Sequence, residues 1–239
     1  MKKILRRVKE FFLPLAFIFV AASFSGAYFS DTVSVTNNSF VAGTWTVTPT
    51  ATVSLAPSPV TTPSNMGEVV INELMWSGSD GNVQDEWIEL KNTTSSEKII
   101  SNWQLTGISG GSEDLLVTIP GGSSIPAGGF YLISRKVQDI SAINVVPNLV
   151  NNDAFLSNSA LKIALYRGDW TDSSNLVDIA GSGGLPLAGS NSLSKKSMSR
   201  NSSPGDGMIA SSWFSAGNNS TTYWDSENGN YGTPGGLNE

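Results

Sequence analysis

Apolar and polar positions alternate in short runs over most of the chain, most clearly from Glu68 to Asn92, EVVINELMWSGSDGNVQDEWIELKN. Val69 and Ile71, then Leu74 and Trp76, supply apolar faces in its first half, and Trp87, Ile88 and Leu90 in its second. β-Branched and aromatic residues in runs of this length, bounded by Gly, Ser, Asp and Asn, predict two strands joined by a polar loop. Short candidate strands then recur at Lys98–Leu105, Leu115–Ile119, Gly129–Ser134, Asn144–Val150, Leu161–Arg167 and Leu176–Ala180. Thr106-Gly107, Gly110-Gly111, Pro120-Gly121-Gly122, Pro126-Ala127-Gly128 and the run Gly181 to Gly184 punctuate them as turns. Beyond the N-terminal segment no run keeps a 3.6-residue apolar period with caps. Many short strands at regular spacing predict an all-β sandwich or barrel.

The tail from Gly189 is rich in Ser, Asn and Gly, yet it holds Trp213, Phe214, Tyr223 and Trp224. Aromatics this dense in a polar segment predict that it packs back onto the sandwich, with Met198-Ser199-Arg200 as one more short strand. At the other end, a basic start is followed by the apolar run Phe11 to Phe24 and then by Ser25-Gly26-Ala27. That order predicts a secretory signal, with an uncleaved membrane anchor as the alternative. Thr46 to Gly67, rich in Pro, Thr and Ser and free of charge, predicts an extended, disordered linker. The expected organisation is therefore a signal or anchor helix over 1–27, a spacer over 28–67 and a β-domain over 68–239.

Composition changes this picture mainly by exclusion. The chain has no cysteine and no histidine. Ser-His-Asp and Cys-His catalysis, zinc or iron–sulfur sites built on those residues, and histidine pH switching are all removed. Lys2, Lys3, Arg6, Arg7 and Lys9 face only Glu10 in the first 26 residues, so the rest is more acidic than the overall net charge of −6. An acidic body disfavours nucleic acid as a partner.

The acids inside or beside apolar runs are the candidate chemistry. Asp85, Glu86 and Glu89 resemble the carboxylates of a glycoside hydrolase, but Glu86 and Glu89 fall on opposite faces of a strand, which makes a poor pair. Glu73 approaches from the neighbouring strand, with no cleft indicated. Asp80, Asn82, Asp85 and Glu86 place oxygen ligands on one flexible loop, which calcium favours, although the EF-hand spacing is missing. The competing reading is a solvated turn whose Asp and Asn cap their own backbone, and Asp169 to Asp172 has the same ambiguity. Asn72 and Glu73 are expected to satisfy backbone groups where the first strand ends. Trp87, Trp103, Trp213 and Trp224 are expected in the core, and Trp76 and Trp170, beside polar loops, at the surface. Ser194-Lys195-Lys196-Ser197 is read as a surface loop, and Gly181 to Gly184 is no phosphate loop.

Two resemblances add to this reading. Gly26-Ala27-Tyr28-Phe29-Ser30-Asp31-Thr32, with Asn38, Phe40 and Ala42-Gly43-Thr44, resembles the start of camelysin and biofilm-fibre proteins, which implies processing near Gly26 or Ala27. Val69-Val70-Ile71-Asn72-Glu73 with Asp85-Glu86-Trp87-Ile88-Glu89-Leu90-Lys91-Asn92 resembles the opening of the lamin-tail domain. In order follow Ile100 to Leu105, with Asn102 where the family has Gly, then Ile125 to Leu132, Phe155 to Tyr166, Leu176-Val177-Asp178, Ser197 to Arg200 and Tyr231 to Asn238. The resemblance implies an immunoglobulin-like β-sandwich acting as a binding or assembly module. The function expected is thus a non-catalytic, secreted or cell-surface module for binding or adhesion. A surface-assembly subunit, and a calcium-dependent or carboxylate-based hydrolase, are the alternatives. No cofactor is expected beyond calcium in the Asp80–Glu86 loop. The expected partner is a surface protein or glycan; oligomers are compatible with the pattern, and a membrane is met only through residues 11–25 of an uncleaved signal.

Overall fold

A computed structural model describes residues 67–109, 111–226 and 229–239. The signal-like segment, the camelysin-like start and the spacer lie outside the described residues. The strands are β1 (Val69–Met75), β2 (Trp87–Asn92), β3 (Lys98–Ile99), β4 (Gln104–Ser109), β5 (Ser112–Thr118), β6 (Ser124–Ile125), β7 (Phe130–Ser134) and β8 (Leu149–Val150). They continue as β9 (Leu161–Tyr166), β10 (Leu176–Gly184), β11 (Ser190–Asn191), β12 (Lys195–Lys196), β13 (Met198–Arg200), β14 (Trp213–Ser215) and β15 (Asn230–Tyr231). Among the described residues the only helical pieces are short 3₁₀ turns, and no helix is long and apolar enough to cross a membrane.

The predicted hairpin is present: β1 and β2 pair antiparallel, and the register shifts between Ile71 and Glu73. Asn72 is the extra residue of a β-bulge, which re-aims the side chains beyond it. Val69 and Ile71 point into the core before the bulge, Leu74 and Trp76 after it, and Met75 packs on the opposite face. The three-residue step from Ile71 to Leu74 is the trace of this bulge in the sequence. Without it, period two would send Glu73 inward and Leu74 outward.

The two main sheets share one core. One runs β14-β13-β1-β2-β7-β8, and the other runs β10-β9-β4-β5. Ile71, Ile88, Leu90, Ile133, Leu105, Ile163, Leu165 and Val177 meet between them, all essentially buried. This is an immunoglobulin-like sandwich, the form the resemblance implied and one of the two all-β forms the strand pattern predicted.

Thr106-Gly107 and Gly181 to Gly184, expected as turns, lie inside β4 and β10, and Lys195–Lys196, expected in a loop, forms β12; the strands expected at Lys98–Leu105 and Asn144–Val150 also come out differently. Lys98–Leu105 divides into β3 and the start of β4, separated by a corner at Ile100–Trp103 where Trp103 N–H donates to the Ile100 carbonyl at 3.1 Å. Asn102 occupies the left-handed region there, φ 61°. Asn tolerates that conformation through its short polar side chain, so it can stand where the family has glycine. Asn144–Val150 yields only β8; Pro147 lacks the N–H a longer ladder would use.

The six-stranded sheet is covered on its outer face too. Met75, Trp87, Leu132, Ile143 and Trp224 form a second apolar cluster there. Trp224 belongs to the polar tail, which packs back as its aromatics predicted; its ring lies 6.4 Å from that of Trp87.

Candidate functional site

The acids that stood out in the sequence fall into distinct environments. Glu73 and Glu89 face each other across β1 and β2 on the outer face of the six-stranded sheet. Both are completely buried. Glu73 accepts from the hydroxyls of Ser197, Ser199 (2.9 Å) and Thr233 (2.9 Å), and from the Thr233 N–H (3.1 Å). Glu89 accepts from Asn72 Nδ2 (2.7 Å) and the Gly235 N–H. Asn238 completes the cluster, donating to the Asn72 backbone carbonyl at 3.1 Å and to the Arg200 carbonyl at 2.8 Å. Every one of these donors is neutral. Burial raises both carboxyls above the ordinary range, and the Glu73 charge raises Glu89 further.

Glu73 was expected to serve backbone groups at the end of the first strand. It sits inside β1 instead, and it serves hydroxyls and a backbone N–H from the far C-terminal segment. Gly232 allows the close approach: a Cβ there would lie 3.0 Å from Ser197 Oγ and 3.2 Å from both Glu73 Oε1 and the Trp224 ring.

A second buried carboxylate is neutralised by a cation. Asp178 on β10 meets Arg200 on β13, with Arg200 Nη1 3.2 Å from Asp178 Oδ2 and Arg200 Nη2 3.3 Å from Oδ1. Arg200 also donates to the carbonyls of Ile71 (3.3 Å) and Gly205 (2.6 Å), and its guanidinium lies 4.7 Å over the Trp213 ring. Asp178 Oδ2 in turn accepts the Ile71 N–H at 2.8 Å. The ion pair thus satisfies both backbone groups of Ile71 where β13 no longer runs alongside β1. Burial raises Asp178, and Arg200 counters the rise. Beside it lies a cavity of about 580 Å³ lined by Val70, Ile179, Pro204 and Met208 among others. Sequence reasoning assigned Asp178 and Arg200 no role; the signal was a charge inside each of two apolar strands.

The four candidate calcium ligands are each held by a different part of the protein. Asp80 Oδ1 accepts from Asn230 Nδ2 at 2.6 Å. Asn82 Oδ1 caps the Gln84 N–H at 2.9 Å. Asp85 Oδ2 accepts from Ser79 Oγ (2.7 Å) and the Ala142 N–H (3.0 Å), while its buried Oδ1 has no hydrogen-bond partner. Glu86 pairs with Arg135 and accepts the Leu156 N–H; burial, opposed by Arg135, pushes its carboxyl up to about 7. Among the described residues no three acidic, His or Cys side chains form a group able to hold a metal ion. In the second acidic loop, Asp169 and Asp172 accept from the N–H and hydroxyl of Thr171 and Ser174, which lowers both carboxyls.

Trp76 corrects an expectation: it is buried, not exposed, with Nε1 donating to the Ala188 carbonyl at 3.0 Å. The bulge turns it inward. Trp170 is half-buried. Trp87, Trp103, Trp213 and Trp224 are buried as expected. On the outer face of the four-stranded sheet, Glu113 gathers Thr106, Tyr166 (3.1 Å) and Lys162 (2.5 Å) into a half-buried polar cluster. The hydrogen bonds from Lys162 and Thr106 outweigh partial burial and lower Glu113, and burial raises Tyr166.

No curated protein matches the chain. The family model for the lamin tail domain matches residues 62–183, about half of the 239 residues. That stretch runs from just before β1 into the last residues of β10, and so includes the bulged hairpin, both of its buried glutamates and Asp178. On this match, and with the sandwich it leads one to expect, the chain belongs to the lamin tail domain family.

Proposed function

We propose that this chain is a non-catalytic, exported binding or adhesion module at the cell surface, built on its lamin tail domain. The observation that carries the reading is how the buried acids are used. Glu73, Asp85, Glu86, Glu89 and Asp178 each accept from groups inside the domain, and Asp178, which lines the cavity of about 580 Å³ together with Asp206, is paired there with Arg200. A lamin tail domain is an immunoglobulin-like scaffold that is usually non-catalytic, and such a scaffold presents surfaces while its core stays sealed. The surface offered is the outer face of the four-stranded sheet, where Glu113, Lys162 and Tyr166 sit near the half-exposed Leu115. A surface protein or a glycan fits that mix of a planar polar cluster and apolar carbon.

The assembly reading has one observation in its favour. β5 is an edge strand of the four-stranded sheet, and its open edge is a template for pairing with another chain. Immobilised full-length protein, presented with a panel of envelope glycans and surface proteins, separates the readings. Saturable binding without turnover, weakened by Lys162→Glu, is the expected result. Release of reducing ends or phosphate, abolished by Glu89→Gln, would install the hydrolase reading instead. Sedimentation showing concentration-dependent oligomers, broken by a proline in β5, would favour the assembly subunit.

A further inference from the structure

The outer face of the six-stranded sheet carries two completely buried glutamates opposite each other, and among the described residues neither forms a salt bridge. Directly opposed residues on antiparallel strands bring their Cβ atoms to about 4.5–5.5 Å. Two ionised carboxylates at that range, out of water and without a counter-charge, are strongly disfavoured. The donors to them come largely from the C-terminal strap, residues 216–226 and 229–239, and from β13 and the residue before it: Ser197, Ser199, Thr233 and Gly235, while Asn238 of the strap holds Asn72, the remaining donor to Glu89. The same strap places Trp224 on Trp87, with the Trp224 indole N–H donating to the Gly232 carbonyl at 3.1 Å. Holding the strap down and burying the two acids are therefore one event.

We propose that Glu73 and Glu89 act as a proton-held latch, docking the C-terminal strap while the pair carries a bound proton and releasing it when both carboxyls ionise. The unequal donor sets favour this division. Glu73 receives hydroxyls and an N–H on both oxygens, which suits a charged carboxylate. Glu89 receives one side-chain amide and one backbone N–H, which leaves room for the shared proton. The proton belongs to the pair and not to either residue alone.

Other titratable groups around the pair do not supply the missing positive charge. Lys91, further along β2, attracts the Glu89 charge from a distance, with its ammonium 5.5 Å over the Phe130 ring. Tyr223, on the strap and packed against Gly236, is raised by its burial and by Glu239, Glu73 and Glu89, so its phenol stays neutral. Glu239, at the end of the strap, adds only negative charge. Burial raises both glutamates, so the docked state binds a proton that the released state gives up at ordinary carboxyl values. Docking is accordingly complete in acid and is lost as pH rises through the pair's titration. Release would uncover Trp87, Met75 and Leu132, a sheet face that the strap otherwise seals.

Hydrogen exchange of the full chain, followed at the Thr233 and Gly235 amides from about pH 5 to about pH 9 and corrected for intrinsic rate, tests this directly. A single linked proton should reduce their protection by up to about tenfold per pH unit between the ordinary carboxyl range and the pair's own titration, and no further above it. Glu89→Gln keeps the acceptor for Asn72, gives up the one that meets the Gly235 N–H, and cannot ionise, so protection at the Thr233 amide should not vary with pH. Glu86→Gln, which removes an unrelated raised carboxyl, should leave the wild-type slope in place. Protection that is flat in the wild type, a slope unchanged in Glu89→Gln, or a slope lost in Glu86→Gln would overturn the latch. Should Glu89→Gln not fold, infrared difference spectra of the wild type decide. A protonated-carboxyl carbonyl band that vanishes together with strap protection supports the latch, and its absence throughout overturns it.

Discussion

Near Ile71, β1 meets a buried carboxylate that is matched by a guanidinium; two residues on, at Glu73, it carries a buried carboxylate matched by none. Asp178 and Arg200 neutralise one another, cap both backbone groups of Ile71 and stack on Trp213. Glu73 and Glu89 share only hydroxyl and amide donors. In the first arrangement the guanidinium counters the rise that burial imposes on the Asp178 carboxyl. The second is stable only with a proton in place. The ion pair works as a fixed strut between the two sheets, and the glutamate pair as a conditional fastening for the strap over one of them.

Removing the strut should have the largest effect. Arg200→Met leaves Asp178 buried without a counter-charge and should cost about 3–5 kcal/mol in chemical denaturation. Adding Asp178→Leu should recover part of that loss but not all, since the Ile71 N–H and carbonyl then lack partners, at about 1–3 kcal/mol each. Full recovery in the double variant would show that the backbone capping contributes nothing.

Glu73→Ala comes next. It strands the Thr233 N–H and three hydroxyls and should cost about 1–3 kcal/mol. The loss should concentrate in strap exchange and leave β9 and β10 protected. A uniform loss across both sheets would erase the distinction drawn between strut and strap.

The pH dependence of global stability tests a third carboxyl set between these extremes. Glu86 has a counter-ion, Arg135, yet burial still raises it from 4.5 to about 7. Its contribution is full below about pH 4.5 and is lost as pH rises through about 7. Glu86→Gln should flatten the stability curve in that window; an unchanged curve would show that Glu86 does not titrate there.

The smallest effect is expected away from both sites. Asn102→Gly should shift the melting temperature very little, whereas Asn102→Ala at φ 61° should cost about 1–2 kcal/mol.

The strand class was legible because alternation and Gly/Pro turns are local signals, and the ordered match to the lamin-tail pattern sharpened it. The bulge was half legible: the step from Ile71 to Leu74 breaks period two, but a broken period does not say which residue bulges. Asn102 was visible as a departure from the family's glycine, and its positive φ explains why the departure is tolerated. Lys98–Leu105 reads as one strand in the sequence because nothing local shows that the chain turns a corner at Ile100, from the short β3–β6 ribbon into the four-stranded sheet. Trp76 was placed at the surface because polar loops flank it, and only the bulge upstream turns it inward.

The chain by itself determined the all-β class, the family, the exclusion of histidine and cysteine chemistry, and the presence of acids within apolar strands. What those acids do was decided in three dimensions. Glu73 finds its partners 124 to 160 residues away, and Asp178 reaches back 107 residues to Ile71. A one-residue bulge chooses the face, and a fold-back of the tail chooses the donors. Neither leaves more than a faint trace in local sequence, because the cost of a buried charge depends on what surrounds it and not on its neighbours along the chain.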